Sequence, residues 1–194
     1  ILNTSKKKMM HTAKYMHQIL DLALPAYDEL FDEINLEGLV ENKGILYIWN
    51  DKDLKSRQLE IKVRDELGVK QQLVDKHEIH DLEPNIKPFY HAGVYYPYAR
   101  HARNPKKILL KLFQLFLKKG GKFEKSNIQE INFENEKPIF KTEEDKHKFD
   151  KIVIACGAFS KKLTDNLGEK IPLDTERGYH VHFKDCDHLL SRPV

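Results

Sequence analysis

The chain has 194 residues, of which 40% are hydrophobic and 32% are charged. This is too much apolar material for a disordered polyelectrolyte and too many charges for a membrane-embedded protein, so a soluble globular fold is expected. The 33 Lys and Arg residues nearly balance the 30 Asp and Glu residues, and a formal net charge of +3 does not favour nucleic-acid binding.

The cysteine content and the apolar runs predict a location. Two cysteines, Cys156 and Cys186, are too few for a disulfide framework and have no zinc-binding spacing. No apolar run is long enough to span a membrane, and the start of the chain has no signal-peptide layout. We therefore expect a cytoplasmic protein, with peripheral contact at the inner membrane face as a further option.

The first half of the chain predicts helices interrupted by a strand. Near-helical spacing of apolar residues over 9–34 predicts a helix that Pro25 kinks or splits. Residues 44–49 are short, β-branched and aromatic, which predicts a buried strand. Leucine and valine recur every four positions over 53–67, which predicts a helix that ends at Gly68.

The middle of the chain carries two helix-start signals. Asp75 and Glu78 have the spacing of a capping box, and Pro84 closes the short helix that they open. A predicted strand over 94–96 then leads into a polar and aromatic loop over 97–101, where ligand contacts are expected.

A long helix and a group of strands follow. Asn104 and Pro105 are an N-cap and a first-turn proline, and the apolar residues on several sides of this helix predict that it is buried. Short apolar runs between charged turns predict strands that include 128–133, 139–140, 149–154 and 178–183. The pattern predicts an α+β (mixed α/β) fold, with a mixed sheet flanked by helices.

The sharpest local motif lies at residues 150–160, where an apolar strand runs through Gly157 into a helix. Glycine lets a ligand approach the backbone closely, and a helix N-terminus offers amide hydrogens to an anion. A purely structural strand, turn and helix would give the same string, so the motif alone leaves both interpretations open.

Several motifs together resemble one enzyme family. Residues 152–160 read IVIACGAFS, residues 171–183 read IPLDTERGYHVHF, and upstream segments read HEIHDLEPNI, HAGVYYPYARHARNP and GGKFEKSNIQEI. Their content and order, from about Gly44 to the C-terminus, resemble the FAD-dependent D-amino-acid oxidase and dehydrogenase family. Agreement of several motifs in order is more specific than any one of them.

The resemblance implies a two-domain flavin oxidoreductase of which this chain is an internal fragment. It implies substrate-domain elements over 1–121, strands and a turn of the FAD-binding domain over 122–170, and a return to the substrate domain over 171–194. The family's GxGxxG segment, which holds the FAD pyrophosphate, is expected before Ile1. The arginine that pairs with a substrate carboxylate in relatives is expected after Val194.

The resemblance also implies cofactor-binding residues. Ile128 matches the family residue whose backbone lies against the adenine of FAD. Ala155, Gly157 and Ala158 match the turn beside the diphosphate and the ribityl chain. Cys156 stands where alanine is usual, and a small thiol should be tolerated there.

Candidate substrate-binding residues come from two segments. Arg177, Tyr179 and His180 are polar groups expected near the flavin, where arginine and tyrosine can bind a carboxylate by directional hydrogen bonds. Tyr96 and His101 belong to the loop that resembles the substrate side. A structural arginine, packed aromatic rings and an exposed or satisfied histidine remain the alternatives.

The function implied is oxidation of a D-amino acid or related amine by hydride transfer to FAD, without a catalytic triad. Alternatives are a 2-hydroxy-acid oxidoreductase of the same family, acting on a compound such as 2-hydroxyglutarate, and a non-catalytic binding domain. The expected partners are a small amino-acid or amine substrate and the remaining FAD-binding segments of the same protein. The isolated chain is expected to be inactive. The pairs His180 with His182 and His77 with His80 lack a third ligand, so no metal site is predicted.

Overall fold

The protein is described here by a computed structural model of residues 6–51, 54–142, 145–181, 183–186 and 189–194. The chain divides into two compact units. The first unit consists of Ile1–Gly121 and Phe183–Val194, and the second unit consists of Lys122–His182. Each is described separately below.

The first unit begins with two helices, α1 (Lys6–Leu20) and α2 (Ala23–Asp32). The sequence predicted a kink or split here, and a split is observed. The break lies before Pro25, which occupies the first turn of α2. Proline has no N–H to donate to the carbonyl of Asp21, so a continuous helix would leave that group without its bond.

A three-stranded antiparallel sheet forms the centre of the first unit. Its strands are β2 (Ile45–Trp49), β4 (Ala92–Tyr96) and β3 (Gln72–Asp75), in that spatial order. A separate two-stranded pair joins β1 (Val40–Glu41) to β5 (His101–Ala102). The predicted strands at 44–49 and 94–96 are thereby confirmed as β2 and β4.

Each face of the central sheet carries its own apolar cluster. On one face, Leu46, Val74, Ile79 and Tyr90 are buried together. Gly93 lies beneath them, and a Cβ atom at that position would come within 2.7 Å of the Tyr47 carbonyl oxygen and 3.1 Å of Ile79 Cδ1. Glycine is therefore required for helix α4 (Lys76–Leu82), which carries Ile79, to pack this close to the strand.

The opposite face packs against helix α3 (Gln58–Glu66). Leu54, Ala92 and Val94 are buried there, and Ile61 of α3 packs against them. A short 3₁₀ turn, Lys55–Arg57, precedes α3. Burial of each large aliphatic side chain stabilises the fold by about 1.5–3 kcal/mol, so these two clusters are the main source of stability of the first unit.

The predicted helix caps are confirmed. The Asp75 carboxylate accepts hydrogen bonds from the backbone N–H groups of His77 at 2.8 Å and Glu78 at 2.9 Å, while Glu78 Oε2 accepts from Asp75 N at 2.8 Å. These bonds hold the pKa of Asp75 below its usual range. Asn104 Oδ1 accepts from Lys107 N at 3.0 Å and starts helix α5 (Pro105–Lys118).

A buried carboxylate joins distant parts of the first unit. Glu83 is 1% exposed, and its oxygens accept hydrogen bonds from Ser191 N at 3.0 Å, from Ser191 Oγ and from Arg192 Nε at 2.9 Å. Burial alone would raise the pKa of Glu83, but the bonds from Ser191 and Arg192 outweigh it and the net direction is downward. Pro193 O also accepts from Leu46 N at 3.0 Å, which attaches residues 189–194 to the free edge of β2.

The second unit contains a three-stranded antiparallel sheet and a short helix. The strands are β6 (Glu130–Glu134), β7 (Lys137–Lys141) and β8 (Lys146–Lys148), with β7 in the centre. Helix α6 (Ser160–Asn166) lies against β6 and buries Leu163. Ile131, Pro138 and Ile139 are buried residues of the sheet.

Helices and strands in both units confirm the predicted α+β class. The prediction of a mixed sheet is wrong for the described strands. They form three small sheets, and all their pairs are antiparallel. The strands predicted at 149–154 and 178–183 are also wrong for the described residues, which have no strand at 149–154 or 178–181. A strand needs a ladder of hydrogen bonds to a neighbouring strand, and the bond from Phe149 N to Pro138 O at 3.1 Å extends the pairing beside β7 by one residue without making such a ladder.

The prediction that α5 is buried is wrong as well. None of its residues is fully buried, and Leu109 and Leu110 are exposed. Ile108, Leu112 and Phe113 are half-buried, whereas Phe116 and Leu117 are exposed. No helix in the described ranges is both long enough and apolar enough to cross a membrane.

Candidate functional site

The glycine turn of the second unit carries three of the four predicted cofactor residues. Ala155, Gly157 and Ala158 are all exposed, and Gly157 starts a 3₁₀ turn, Gly157–Phe159, that leads directly into α6. Cys156 N donates a hydrogen bond to Ser160 Oγ at 3.1 Å, and Phe159 N donates to Cys156 O at 3.2 Å. These two bonds fix the shape of the turn.

Gly157 has a backbone conformation that favours glycine. Its φ is +55°, in the left-handed region, and no atom lies within 4 Å of the position that a Cβ would take. A larger residue at position 157 would therefore strain the backbone, but its Cβ would not clash with a neighbouring atom. The open space beside Gly157 and the methyl groups of Ala155 and Ala158 leave the backbone accessible to a ligand.

Ile128 is the fourth predicted cofactor residue and lies in the same unit. It is half-buried and precedes β6. The next residue, Gln129, donates from its backbone N–H to Lys141 O at 2.9 Å, which extends the pairing of β6 with β7 by one bond. The backbone at Ile128 is thus held at the end of a hydrogen-bonded ladder.

Three predicted substrate residues lie in an irregular segment of the second unit. Arg177, Tyr179 and His180 are exposed, and Tyr179 is 86% exposed. Val181, the next residue, is 76% exposed as well. His182 lies outside the described residues. No group of three or more His, Cys, Asp or Glu residues in the described ranges could hold a metal ion.

Tyr96 belongs to the first unit, at the end of β4. Its hydroxyl donates to Gln71 Oε1 at 3.3 Å, and the Arg64 guanidinium lies 5.5 Å from the centre of its ring. Its ring also meets Tyr47 edge to face. Burial raises the pKa of Tyr96, although the charge of Arg64 opposes this, so the phenol stays neutral at physiological pH.

His101 also belongs to the first unit, where β5 pairs it directly with Glu41 of β1. His101 Nε2 lies 3.6 Å from Glu41 Oε2, and Arg103 Nη1 lies 3.3 Å from Glu41 Oε1. His101 Nδ1 is buried without a hydrogen-bond partner in the described part of the chain. His101 and Arg103 line a cavity of about 560 Å³, together with residues that include Asn85.

The predicted residues therefore fall into two groups. The second unit holds all four cofactor candidates and Arg177, Tyr179 and His180, whereas the first unit holds Tyr96 and His101. Tyr96 and His101 are close in the chain but contact different neighbours. The sequence analysis missed Glu41 and Arg103 beside His101, because the strands that bring them together are too short to give a periodic signal.

Comparison with known proteins decides the family. A family model described as FAD-dependent oxidoreductase, the DAO family, matches residues 5–194. This chain belongs to that family.

One relative of the DAO-family chain is a D-amino-acid oxidase from Bradyrhizobium diazoefficiens. The two are 28% identical over 178 residues, which are 91% of this chain and 42% of the relative. This chain thus spans less than half the length of that relative.

Solved structures show the same fold. Glycine oxidase from Geobacillus kaustophilus superposes with a TM-score of 0.63 at 17% identity, over 87% of this chain and 44% of that one. An L-alpha-glycerophosphate oxidase from Mycoplasma pneumoniae with FAD bound gives a TM-score of 0.55 at 17% identity, over 66% of this chain and 35% of that one.

Proposed function

We propose that this chain is part of an FAD-dependent oxidoreductase that oxidises the C–N bond of a D-amino acid or a related amine. The observation that carries the proposal is the family match over residues 5–194. The D-amino-acid oxidase that is similar over 91% of the chain supports the substrate class. The proposed setting is the cytoplasm, with peripheral contact at the inner membrane face.

The second unit fits the proposed cofactor. A flavin dinucleotide needs a backbone that its diphosphate and ribityl chain can approach, and side chains there must be small. Ala155, Gly157 and Ala158 meet both requirements, since they are exposed and leave open space at the position of a Gly157 Cβ. We assign these three residues to the diphosphate and ribityl chain, and the Ile128 backbone to the adenine.

The substrate side is assigned to polar groups of this chain. Arg177 is proposed to orient the substrate carboxylate, because a guanidinium can donate two parallel hydrogen bonds to it. Tyr179 and His180 are proposed to donate to the same substrate, and Tyr96 and His101 are proposed as further substrate-side groups. When bound, FAD supplies the acceptor for the hydride from the substrate carbon, and the imine product is then hydrolysed by water.

We also propose a domain assignment, which rests on the family resemblance. Residues 1–121 and 171–194 are assigned mainly to a substrate domain and residues 122–170 to part of an FAD-binding domain. Purified alone, the 194-residue chain is expected to be colourless, because the exposed turn at 155–158 offers an open surface and not an enclosed flavin pocket.

The cofactor assignment is tested by two glycine variants of the full-length protein. Gly157→Ala and Gly168→Ala introduce the same methyl group at left-handed glycines with open space around them. FAD titration should show at least about tenfold weaker binding for Gly157→Ala, which corresponds to about 1.4 kcal/mol, and little change for Gly168→Ala. Equal affinities for both variants would remove Gly157 from the cofactor site.

The reaction is tested by anaerobic bleaching of the flavin with D-amino acids, secondary amines and 2-hydroxy acids. Bleaching by an amine supports the proposal, and bleaching by 2-hydroxy acids alone would replace it with C–O oxidation. Arg177→Ala should lower kcat/KM at least about tenfold without changing FAD affinity. Lys170→Ala, which removes another exposed cation of the same unit, is the control.

A further inference from the structure

A cavity in the first unit is lined by two arginines. Its volume of about 560 Å³ is in the range of small-molecule sites. Arg103, Arg192, His101 and Asn85 line it, together with apolar residues of the segment 183–193. A few polar groups among apolar ones are typical of sites that orient a small ligand. The described residues that line the cavity include no Asp or Glu.

Each of these arginines has a carboxylate partner that does not line the cavity. Arg192 Nε donates to Glu83 Oε1 at 2.9 Å, and the Glu83 side chain is 2% exposed. Arg103 Nη1 lies 3.3 Å from Glu41 Oε1, and the Glu41 side chain is 19% exposed. The Arg103 side chain is itself 46% exposed, so a ligand can reach it. The cavity therefore offers guanidinium N–H donors whose positive charge is already compensated.

The backbone fixes Glu41 beside the groups that line the cavity. Strands β1 and β5 pair it directly with His101, and Arg103 N extends this pairing by donating to Leu39 O at 2.9 Å. Residues that are opposite each other, or two apart on one strand, share a face of an antiparallel pair, so Glu41, His101 and Arg103 project from the same face. Glu41 Oε2 also lies 3.5 Å from Nζ of the exposed Lys43, whose charge solvent screens.

Compensated guanidinium groups discriminate between two kinds of ligand. A free guanidinium binds a carboxylate strongly, because both groups are charged. Once Glu41 has neutralised Arg103, a second carboxylate at Arg103 would be repelled by the first. A carboxamide oxygen carries no net charge and can still accept from the remaining N–H groups of Arg103. The cavity therefore favours a polar but uncharged group.

We propose that this cavity binds an uncharged polar side chain of the amine substrate, and that Glu41 determines this preference. Glu41 acts through Arg103, so it is a positioning residue and does not touch the substrate. The inference rests on the proposed function, since it takes the amine substrate as the occupant. It adds the chemical class of the substrate side chain, which is a carboxamide, as in glutamine, in preference to a carboxylate, as in glutamate.

The test compares two probes with the same carbon skeleton, glutarate and 4-carbamoylbutanoate, which differ in having a carboxylate or a carboxamide at one end. Neither has an amine to oxidise, so calorimetric titration of the full-length protein measures binding without turnover. The parent protein should bind 4-carbamoylbutanoate at least about threefold more tightly than glutarate. Glu41→Gln, which leaves Arg103 uncompensated, should shift the ratio of the two dissociation constants at least about tenfold toward glutarate.

Two further variants show whether this shift acts through Arg103. Adding Arg103→Gln to Glu41→Gln should return the ratio to within about threefold of the parent value. Glu60→Gln is the matched control, because Glu60 also lies between two arginines, Arg57 at 3.0 Å and Arg64 at 3.6 Å, and neither of these lines the cavity. This control should keep the parent ratio.

Three results would overturn the proposal. One is a parent protein that binds neither probe or prefers glutarate, and another is an unchanged ratio in Glu41→Gln that circular dichroism and Trp49 emission show to be folded. The third is an equal shift in Glu60→Gln, which would indicate a general effect of net charge.

Arg103→Gln alone decides the question if Glu41→Gln does not fold. It leaves the Glu41 carboxylate without its arginine, so the ratio should move further toward 4-carbamoylbutanoate, and an unchanged ratio would contradict the proposal. Bleaching of the flavin by D-glutamine, measured separately, reports on the proposed oxidation. That reaction can fail while the binding preference holds, so the two proposals are tested independently.

Discussion

The two units of this chain differ in how completely their own residues bury what they need to bury. The first unit has a buried apolar cluster on each face of its sheet. Its buried Glu83 carboxylate accepts hydrogen bonds from Ser191 and Arg192 of the same unit. The second unit buries Ile131, Ile139 and Leu163 but leaves Val153 and Tyr179 almost fully exposed. The residues proposed to meet FAD and substrate are concentrated in the less enclosed unit.

This difference indicates where each unit obtains its stability. The first unit should lose free energy of unfolding when an internal contact is removed. The exposed segments of the second unit should tolerate substitution in this chain, since they have few internal contacts to lose. The single tryptophan, Trp49, lies in the first unit and reports its unfolding separately.

The largest effect is expected from Glu83→Ala, which would leave the half-buried Arg192 guanidinium without its carboxylate. Loss of one partner of a buried ion pair destabilises by about 3–5 kcal/mol. Urea unfolding followed by Trp49 fluorescence measures the change. Asp28→Ala removes the partner of Arg100 at an exposed site and should change the midpoint little. Equal losses for the two variants would contradict the assignment of Glu83 as an internal anchor.

A second comparison uses one aliphatic residue from each unit. Leu46→Ala opens a cavity in the first unit and should cost about 2–5 kcal/mol. Val153→Ala changes a side chain that is 88% exposed and should stay within about 0.5 kcal/mol. Denaturant unfolding by circular dichroism tests both variants. A large loss for Val153→Ala would show that residues 149–154 are packed in solution.

The stability of the first unit should depend on pH through Glu83. The folded-state pKa of Glu83 lies below its ordinary value of 4.5, so its contribution is fully present above about pH 4.5 and is lost as the pH falls through the lower folded-state pKa. The Trp49 transition should therefore weaken with acid in that window. Glu83→Gln should flatten this dependence, and an unchanged slope would show that other carboxyls control it.

The smallest effect is expected at the start of α5. Asn104→Ala removes the oxygen that accepts from Lys107 N and should cost about 1 kcal/mol. Asn104→Asp keeps an acceptor there and should retain most of the stability. If Asn104→Ala unfolds at the parent's urea midpoint, the cap contributes nothing to the first unit.

Local signals in the sequence predicted the first unit best. The caps at Asp75 and Asn104 and the strands β2 and β4 were recognisable because each depends on neighbours within a few residues. The contact of Glu83 with Ser191 was not recognisable, since it joins residues 108 positions apart and neither residue carries a motif for it.

The wrong strand predictions arose because strand pairing depends on residues outside the local segment. Residues 149–154 and 178–183 have strand-like composition, but composition cannot provide the neighbouring strand that pairing requires. For the candidate site, Gly157 was recognisable from its position between an apolar run and a helix, and the structure adds its left-handed φ. The cofactor and substrate roles of the nine candidate residues remain predictions that the proposed experiments address.

The Glu83 anchor has a consequence for synthesis on the ribosome. At about 5–20 residues per second, Ser191 emerges roughly 5–20 seconds after Glu83. The whole of the second unit is translated within that interval, because it lies between the two residues in the chain. In a nascent first unit, Glu83 therefore lacks its partners until Ser191 and Arg192 have been made. Folding of the first unit should thus finish after the second unit has left the ribosome, although it began earlier.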